Sequence, residues 1–503
     1  MTSIARRSGA RSRRSRVARL GAALAGLALA AGCSSPAAGP LLAHRAPAVT
    51  GSGSLADSDS GSGRADPGSP DSSAAADDAC PSSYAAPDPD RPQITLAFDL
   101  ADDLESVRGT EDVTFTPDLP VREVVFRLTA NTAPSVAEGN RIQVTAATAG
   151  PGGQPFRFER AGADAGTQGG LLVLPLAGEV PAGQRVTAHV EFTLTLGDGA
   201  FDRFGRTADY AWWGTGQPLL AWERGVGWHR EPMLQYTAES ATSEAARIDL
   251  TVTAPTRLTL LTSGTQDDPA AAGDGRRRWH ALADRARDVS VAAGPFTTAS
   301  ATVGGTKLVV GTGPGRSPAA LLTEASRGVR ELAARFGPAP FPVINLARLP
   351  IGGGGIEYPG SILMLDDSRT VTVHELAHQW FYAMVGNSQA RDPWLDEAFA
   401  SFAEEGVDGA GSDSALRLPG KVGASTESYG PNENAYYTTT YAKGSAALAA
   451  ARAAGPPAAF DAALHCYINA NAWRIAKPAD LAAALAELPA SVKVLRQAGA
   501  LPD

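Results

Sequence analysis

The sequence predicts a multidomain protein, with an N-terminal all-β, sandwich-like domain followed by an α+β domain. Three observations predict it. From about residue 92, apolar residues alternate with others at period two, in short runs separated by Gly, Pro and Asp clusters. Beyond about residue 306, helix start and stop signals dominate. Ahead of both lies a long stretch with almost no large apolar residue. At 503 residues, 44% of them hydrophobic, the chain is too long for one ordinary domain.

In chain order, residues 1–33 read as a secretory leader. Arg6, Arg7, Arg11, Arg13, Arg14, Arg16 and Arg19 form a basic head, and an apolar run follows from Leu20 to Ala31. That run is too short to span a bilayer comfortably. The ending Leu29-Ala30-Ala31-Gly32-Cys33 resembles the lipobox of bacterial lipoproteins, which implies a lipid on Cys33 and a protein anchored to the outside of the cell membrane. The alternative is ordinary cleavage and release. Arg13-Arg14 leaves export by the general or the twin-arginine route open.

Residues 34–90, rich in Ala, Gly, Ser, Pro and Asp, read as a stalk that cannot bury enough surface to fold. With Cys33 set aside, Cys80 and Cys466 remain. In an oxidising compartment they form either a disulfide or two unpaired thiols.

The β-domain is expected over 91–305. Its strand signals include Ile94, Leu96, Phe98 and Leu100, then Val113 and Phe115, then Val124, Phe126 and Leu128. Further runs lie at Leu171–Leu174, His189–Leu196 and Ile248–Val252. The second domain is expected over 306–503. Ser317 caps its first helix, Pro318 suits the first turn, and Gly337-Pro338 closes it. Another helix starts at Asp392-Pro393, and the last sixty or so residues read as Ala- and Leu-rich helices.

The formal net charge is -9, and seven Arg of the first 33 residues are unopposed by any acid, so the remainder carries -16. Such a chain is a poor binder of nucleic acid, which requires phosphate neutralisation.

The chemistry concentrates at His374-Glu375-Leu376-Ala377-His378, an H-E-x-x-H motif in a helix-compatible stretch. Two His at i and i+4 project from one helix face, so both imidazoles can reach one tetrahedral zinc ion. Glu375 is placed to take a proton from an activated water. Eighteen residues separate His378 from Glu397, and a helix–loop–helix of that length can bring Glu397 to the ion as third ligand. Two His, one Glu and an open position make a catalytic rather than a structural set.

These residues resemble the M1 family of gluzincin aminopeptidases, whose pattern is H-E-x-x-H, eighteen residues, then E within a segment like Trp394–Ala400. The resemblance implies a thermolysin-like catalytic domain holding one zinc ion. It also implies that Gly354-Gly355-Ile356-Glu357-Tyr358 corresponds to the G-x-M-E-N segment, an edge strand that pairs with substrate backbone while Glu357 binds the free α-amine. Thr440-Tyr441-Ala442-Lys443-Gly444 resembles the Y-x-K-G segment, which assigns Tyr441 to the oxyanion. Glu223, between Trp222 and Trp228, stands roughly where a second polar group for the amine belongs. Ile356 and Tyr358 depart from the usual Met and Asn, so amine recognition rests on Glu357. Only about sixty residues follow Tyr441, so a two-domain form with a more open cleft is expected.

The expected partners are therefore peptides with a free N-terminus and, through Cys33, a membrane. Two rival readings are a zinc endopeptidase or other amide hydrolase on the same site, and a non-catalytic surface lipoprotein. The sequence sets neither side-chain preference nor oligomeric state.

Overall fold

The computed structural model describes residues 80–198, 203–233, 242–408 and 414–502. The expected leader, Cys33 and the stalk up to residue 79 lie outside the described residues.

The β-region is built on an eight-stranded sheet. Its centre is the strand Gln93–Leu100, parallel to Ala246–Pro255 on one side and antiparallel to Ser106–Phe115 on the other. Ile94, Leu96, Phe98 and Leu100 are buried while Gln93 and Thr95 are exposed, so period-two alternation puts one face in the core. A second sheet carries Val121–Arg127 and Leu171–Val180. Leu171, Leu172, Val173 and Leu174 are all buried because apolar clusters cover both faces of that strand.

A third sheet, with Thr259–Thr262, Ser290–Gly294, Ala211–Gly214 and Phe204–Arg206, divides two cores. Trp213 points into the β-domain core, its ring 5.5 Å from Phe98. Its neighbour Trp212 points the other way, into a cluster shared with Ile356 and Tyr358.

The following domain has a five-stranded sheet in the order Thr297–Val303, Thr306–Thr312, Val343–Arg348, Ser361–Met364, Gly355–Tyr358. The middle three strands run parallel, and Gly355–Tyr358 is an antiparallel edge. Strand Thr297–Val303 pairs with Thr306–Thr312 through a hairpin at Gly304-Gly305, so the domain starts near 297 rather than at the expected 306. Alternation identifies a strand without saying which sheet it joins.

The helix Pro318–Phe336 begins at Ser317, whose side chain accepts from Ala319 N–H at 3.3 Å, and ends at Gly337 with φ 95°. Leu321, Ala325, Val329, Leu332 and Phe336 recur at helical spacing and pack in the core under the sheet.

The expected stalk needs correction at its end, because residues 80–90 are attached to the folded body. Cys80 and Cys466 form a disulfide, which decides between the two readings left open. Ala85 N–H donates to Asn469 C=O at 2.8 Å, and Asn469 Nδ2 donates to Pro81 C=O at 2.7 Å. Tyr84 donates its hydroxyl to Pro338 C=O. This strap then meets the β-domain, where Arg91 lies 3.2 Å from Asp284. Its small, polar composition conceals a covalent tie and one anchoring aromatic ring. No helix among the described residues is long and apolar enough to cross a membrane.

Candidate active site

The H-E-x-x-H motif lies on the helix Arg369–Ala377, capped by Ser368 and with His378 at its C-terminal cap. Val373, Leu376 and Ala377 are buried in the core, which turns His374 and His378 together toward the cleft. Glu397 comes from the next helix, Trp394–Asp408, held by buried Trp394, Leu395, Ala398, Phe399 and Phe402.

The two helices bring three donor atoms together. His374 Nε2 and His378 Nε2 are 3.2 Å apart, and each is 3.4 Å from Glu397 Oε2. Metal–ligand bonds of 2.0–2.2 Å in a tetrahedron require ligand atoms about 3.3–3.6 Å apart. The triangle therefore fits zinc with little rearrangement. Glu397 Oε2 is buried and makes no hydrogen bond of good geometry, as a ligand atom would.

The other ring nitrogens are occupied. His374 Nδ1 is 3.1 Å from Glu404 Oε2, and His378 Nδ1 is 3.1 Å from Phe381 C=O. Both contacts favour the tautomer that protonates Nδ1 and leaves Nε2 as the donor to a metal. Glu404 follows Glu397 by two helical turns, on the same face.

The local electrostatics call for a cation. Burial alone would lower the pKa of His378, but the Glu397 and Glu357 carboxylates push it up to about 10. Burial would likewise raise Glu397, yet the two imidazoles hold it far below the usual carboxylate range. A divalent ion and protons compete for this place, so metal affinity weakens as pH falls.

Beside the triad, Glu357, Glu375 and His378 offer ligand atoms that all lie within 4.8 Å of one another. Glu357 is 4% exposed and Glu375 5%. Glu357 Oε1 and Glu375 Oε2 are buried without a hydrogen-bond partner. Burial raises the pKa of Glu375, against the pull of His374 and His378. Two buried carboxylates converging with unmet oxygens make a receptor for positive charge or for a shared proton.

Gly355 explains how they come so close. A Cβ there would lie 2.4 Å from Glu375 Cγ and 2.8 Å from its Oε1, so only glycine lets the edge strand pass over that carboxylate. Gly354 accepts at its carbonyl from Leu365 N–H at 3.0 Å and Asp366 N–H at 2.8 Å, fixing the strand's entry.

Tyr441 sits in a π-helical turn, Tyr437–Lys443. Such turns are frequent at functional sites. Its ring stacks on His374, with centroids 5.9 Å apart and planes 7° apart. Tyr436, by contrast, is fully buried.

Glu223 is corrected. Instead of facing an amine, it is buried in an ion cluster, with His229 Nε2 at 2.5 Å, Arg391 Nη2 in contact and Lys477 Nζ at 3.8 Å. His229 Nδ1 meets Glu231 at 3.0 Å, and Arg391 Nη1 meets Glu231 at 2.7 Å. Proximity to tryptophans could not distinguish this clamp between domains from a cleft.

Sequence reasoning also missed Gln379. It is fully buried, donates to Tyr358 C=O at 3.2 Å and accepts from Gly360 N–H at 2.9 Å, tying the edge strand to the motif helix. Its signal was a polar residue directly after the second His, in an otherwise apolar run. Asp288 was missed too. It accepts from Tyr382 at 2.7 Å and Thr215 at 2.8 Å, linking the domains behind the site.

The M1 zinc metallopeptidase of Deinococcus radiodurans superposes over 82% of this chain and 94% of its own, with a TM-score of 0.61 and 21% identity. A mutant of the Deinococcus radiodurans enzyme bound to a Tyr-Ser-Ala substrate gives 0.62 at 19% identity, over 82% and 95% of the two chains. The fold is that of the M1 zinc metallopeptidases.

Residues 361–417, which include His374, His378 and Glu397, match the model described as the peptidase family M1 domain. "Probable aminopeptidase 1" of Sulfurisphaera tokodaii is 32% identical over 115 residues, 19% of this chain and 15% of that protein. Its namesake in Saccharolobus solfataricus is 32% identical over 114 residues, 19% of this chain and 14% of its own. These matches span a small part of the curated relatives' length.

Proposed function

We propose that this protein is a zinc-dependent aminopeptidase with one metal ion per chain. The observation that carries the reading is the pair of buried carboxylates, Glu357 and Glu375, converging beside the His374–His378–Glu397 triangle. One is suited to a substrate ammonium and the other to a transferable proton.

His374, His378 and Glu397 would hold zinc, which when bound supplies Lewis acidity toward water and the scissile carbonyl. Glu357 binds the α-ammonium and so sets the cut one residue from the N-terminus. Gly354 and Gly355 present backbone on the open edge of the sheet, where an extended peptide can lie. Glu375 takes a proton from the attacking water and hands it to the departing amine as the C–N bond breaks. Tyr441 donates to the carbonyl oxygen as negative charge develops there.

Cleavage of one peptide with a free and with an acetylated N-terminus, each with and without a chelator, tests this. The free peptide alone is expected to be cut, and only without chelator. Equal cleavage of both forms would replace the aminopeptidase with an endopeptidase, and indifference to chelator would remove the metal. Glu375→Gln is expected to retain fold and metal and to lose about 10²–10⁴-fold in kcat.

We further propose that the enzyme works outside the cytoplasm, tethered by a lipid on Cys33. The lipobox-like ending at Cys33 supports this, as does the Cys80–Cys466 disulfide, a bond that persists in oxidising compartments.

A further inference from the structure

The three parallel strands of the second domain end at Thr312, Arg348 and Met364. Ligands of parallel sheets characteristically bind beyond such carboxyl ends. The first two of those ends border a cavity of about 410 Å³ lined by Tyr210, Gly313, Arg316, Arg348, Ile351 and Gly352 among others.

Arg348 is 9% exposed, yet no carboxylate lies in contact with it among the described residues. Its Nη1 donates to the carbonyls of Leu349 and Ile351, and its Nε is buried without a partner. The nearby acids are engaged elsewhere. Asp366 accepts from Ser368 N–H at 2.6 Å, and Asp367 lies 3.2 Å from Arg316 Nη1. Burial and the adjacent Arg316 push the Arg348 pKa down, and the more distant Asp367 and Asp366 carboxylates pull it up without offsetting them. A buried cation on the wall of a cavity calls for an anion.

We propose that Arg348 and Arg316 bind a carboxylate on the leaving side of the substrate, foremost the C-terminus of a short peptide. This rests on the aminopeptidase reading and adds to it a preference for substrate length. The register supports the placement. Met364 pairs with Arg348 on one side and Gly355 on the other, so all three project from one sheet face. Arg348 and Gly355 are therefore about 10 Å apart, two strand spacings. A peptide with its amine at Glu357 that runs along the edge strand past Gly355 leaves the sheet at this same end. At about 3.4 Å per residue, three to five residues cover the path from Glu357 to the cavity.

The test compares tri- and tetrapeptides as free acids and as C-terminal amides, with an aminoacyl arylamide as the substrate that has no carboxylate. The wild type is expected to show a KM about tenfold lower for the acids, with similar kcat. Arg316→Gln and Arg348→Gln should bring the acid-to-amide ratio close to one. Arg316 is half-exposed, so its variant remains informative if the other fails to fold. Asp367→Asn frees Arg316 and should widen the ratio. A tetrapeptide amide ending in Glu that regains the low KM would place the bound carboxylate on a side chain, within the same site.

Equal KM for acids and amides in the wild type would overturn the proposal, as would a ratio untouched by both arginine variants. If the wild type cleaves neither the arylamide nor any free-amine peptide, the aminopeptidase reading fails instead.

Discussion

At the scale of single residues, the site is limited by space. Gly355 passes so close to Glu375 that a methyl group there must displace the carboxylate. Gly355→Ala is expected to lower kcat by about 100-fold, the cost of misplacing a reacting group by roughly an ångström. Metal content and the unfolding temperature should stay near wild type, because the triad lies on other elements. Elemental analysis beside kcat checks this, and unchanged kcat would show that Glu375 tolerates displacement. Tyr441→Phe keeps the ring against His374 and removes only the hydroxyl. Its kcat should fall about 10²–10³-fold with little change in KM. A rise in KM at constant kcat would instead assign the hydroxyl to ground-state binding.

At the scale of elements, the problem is how the helix bearing Glu397 is positioned. The segment leading into it is held through Arg391 to Glu223 and Glu231 of the β-domain, with His229 between them. Burial opposes charge on His229, but Glu223 and Glu231 win and raise its pKa above the ordinary 6.5. Burial likewise opposes charge on Glu231, but His229 and Arg391 hold it down at about 2. The signs set a window. The His229 contribution is complete below pH 6.5 and is lost as pH rises through the raised folded value. The Glu231 contribution is complete above about pH 4.5 and is lost as pH falls toward 2. His229→Gln should therefore lower the unfolding temperature near pH 6 and flatten its decline on the alkaline side. Parallel wild-type and variant curves from pH 5 to 9 would rule out His229 as the titrating link.

The same elements show what was legible in the sequence. The triad was legible because one helical turn fixes His374 against His378, and eighteen residues suffice for a return to Glu397. The strands were legible from alternation at Ile94–Leu100 and Ile248–Val252. Glu404 and Gln379 were not, since their partners depend on how two helices and an edge strand pack. Glu223 was misread because a carboxylate beside aromatic residues looks alike in a clamp and in a cleft. The boundary near 297 was hidden because a hairpin on a new sheet alternates like one on the old.

At the scale of the whole molecule, the strap from Cys80 to Arg91 fastens the second domain to the start of the β-domain. The disulfide closes a loop with a sequence separation of 386 residues. In chain-entropy terms, long loops gain most from such closure, and a native disulfide typically contributes about 2–4 kcal/mol. Cys466→Ser, or reduction of the native protein, is expected to lower the unfolding temperature by roughly 2–5 °C. Coincident melting curves before and after reduction would show that the strap's hydrogen bonds suffice without it. The closure also determines how the molecule takes mechanical load. A pull on the chain ahead of Cys80 is delivered by a covalent bond to the helix Pro457–Asn471, bypassing the strand Gln93–Leu100 at the heart of the large sheet. A load applied there would be carried by the second domain, and the β-sheet would not be peeled open from its own first strand.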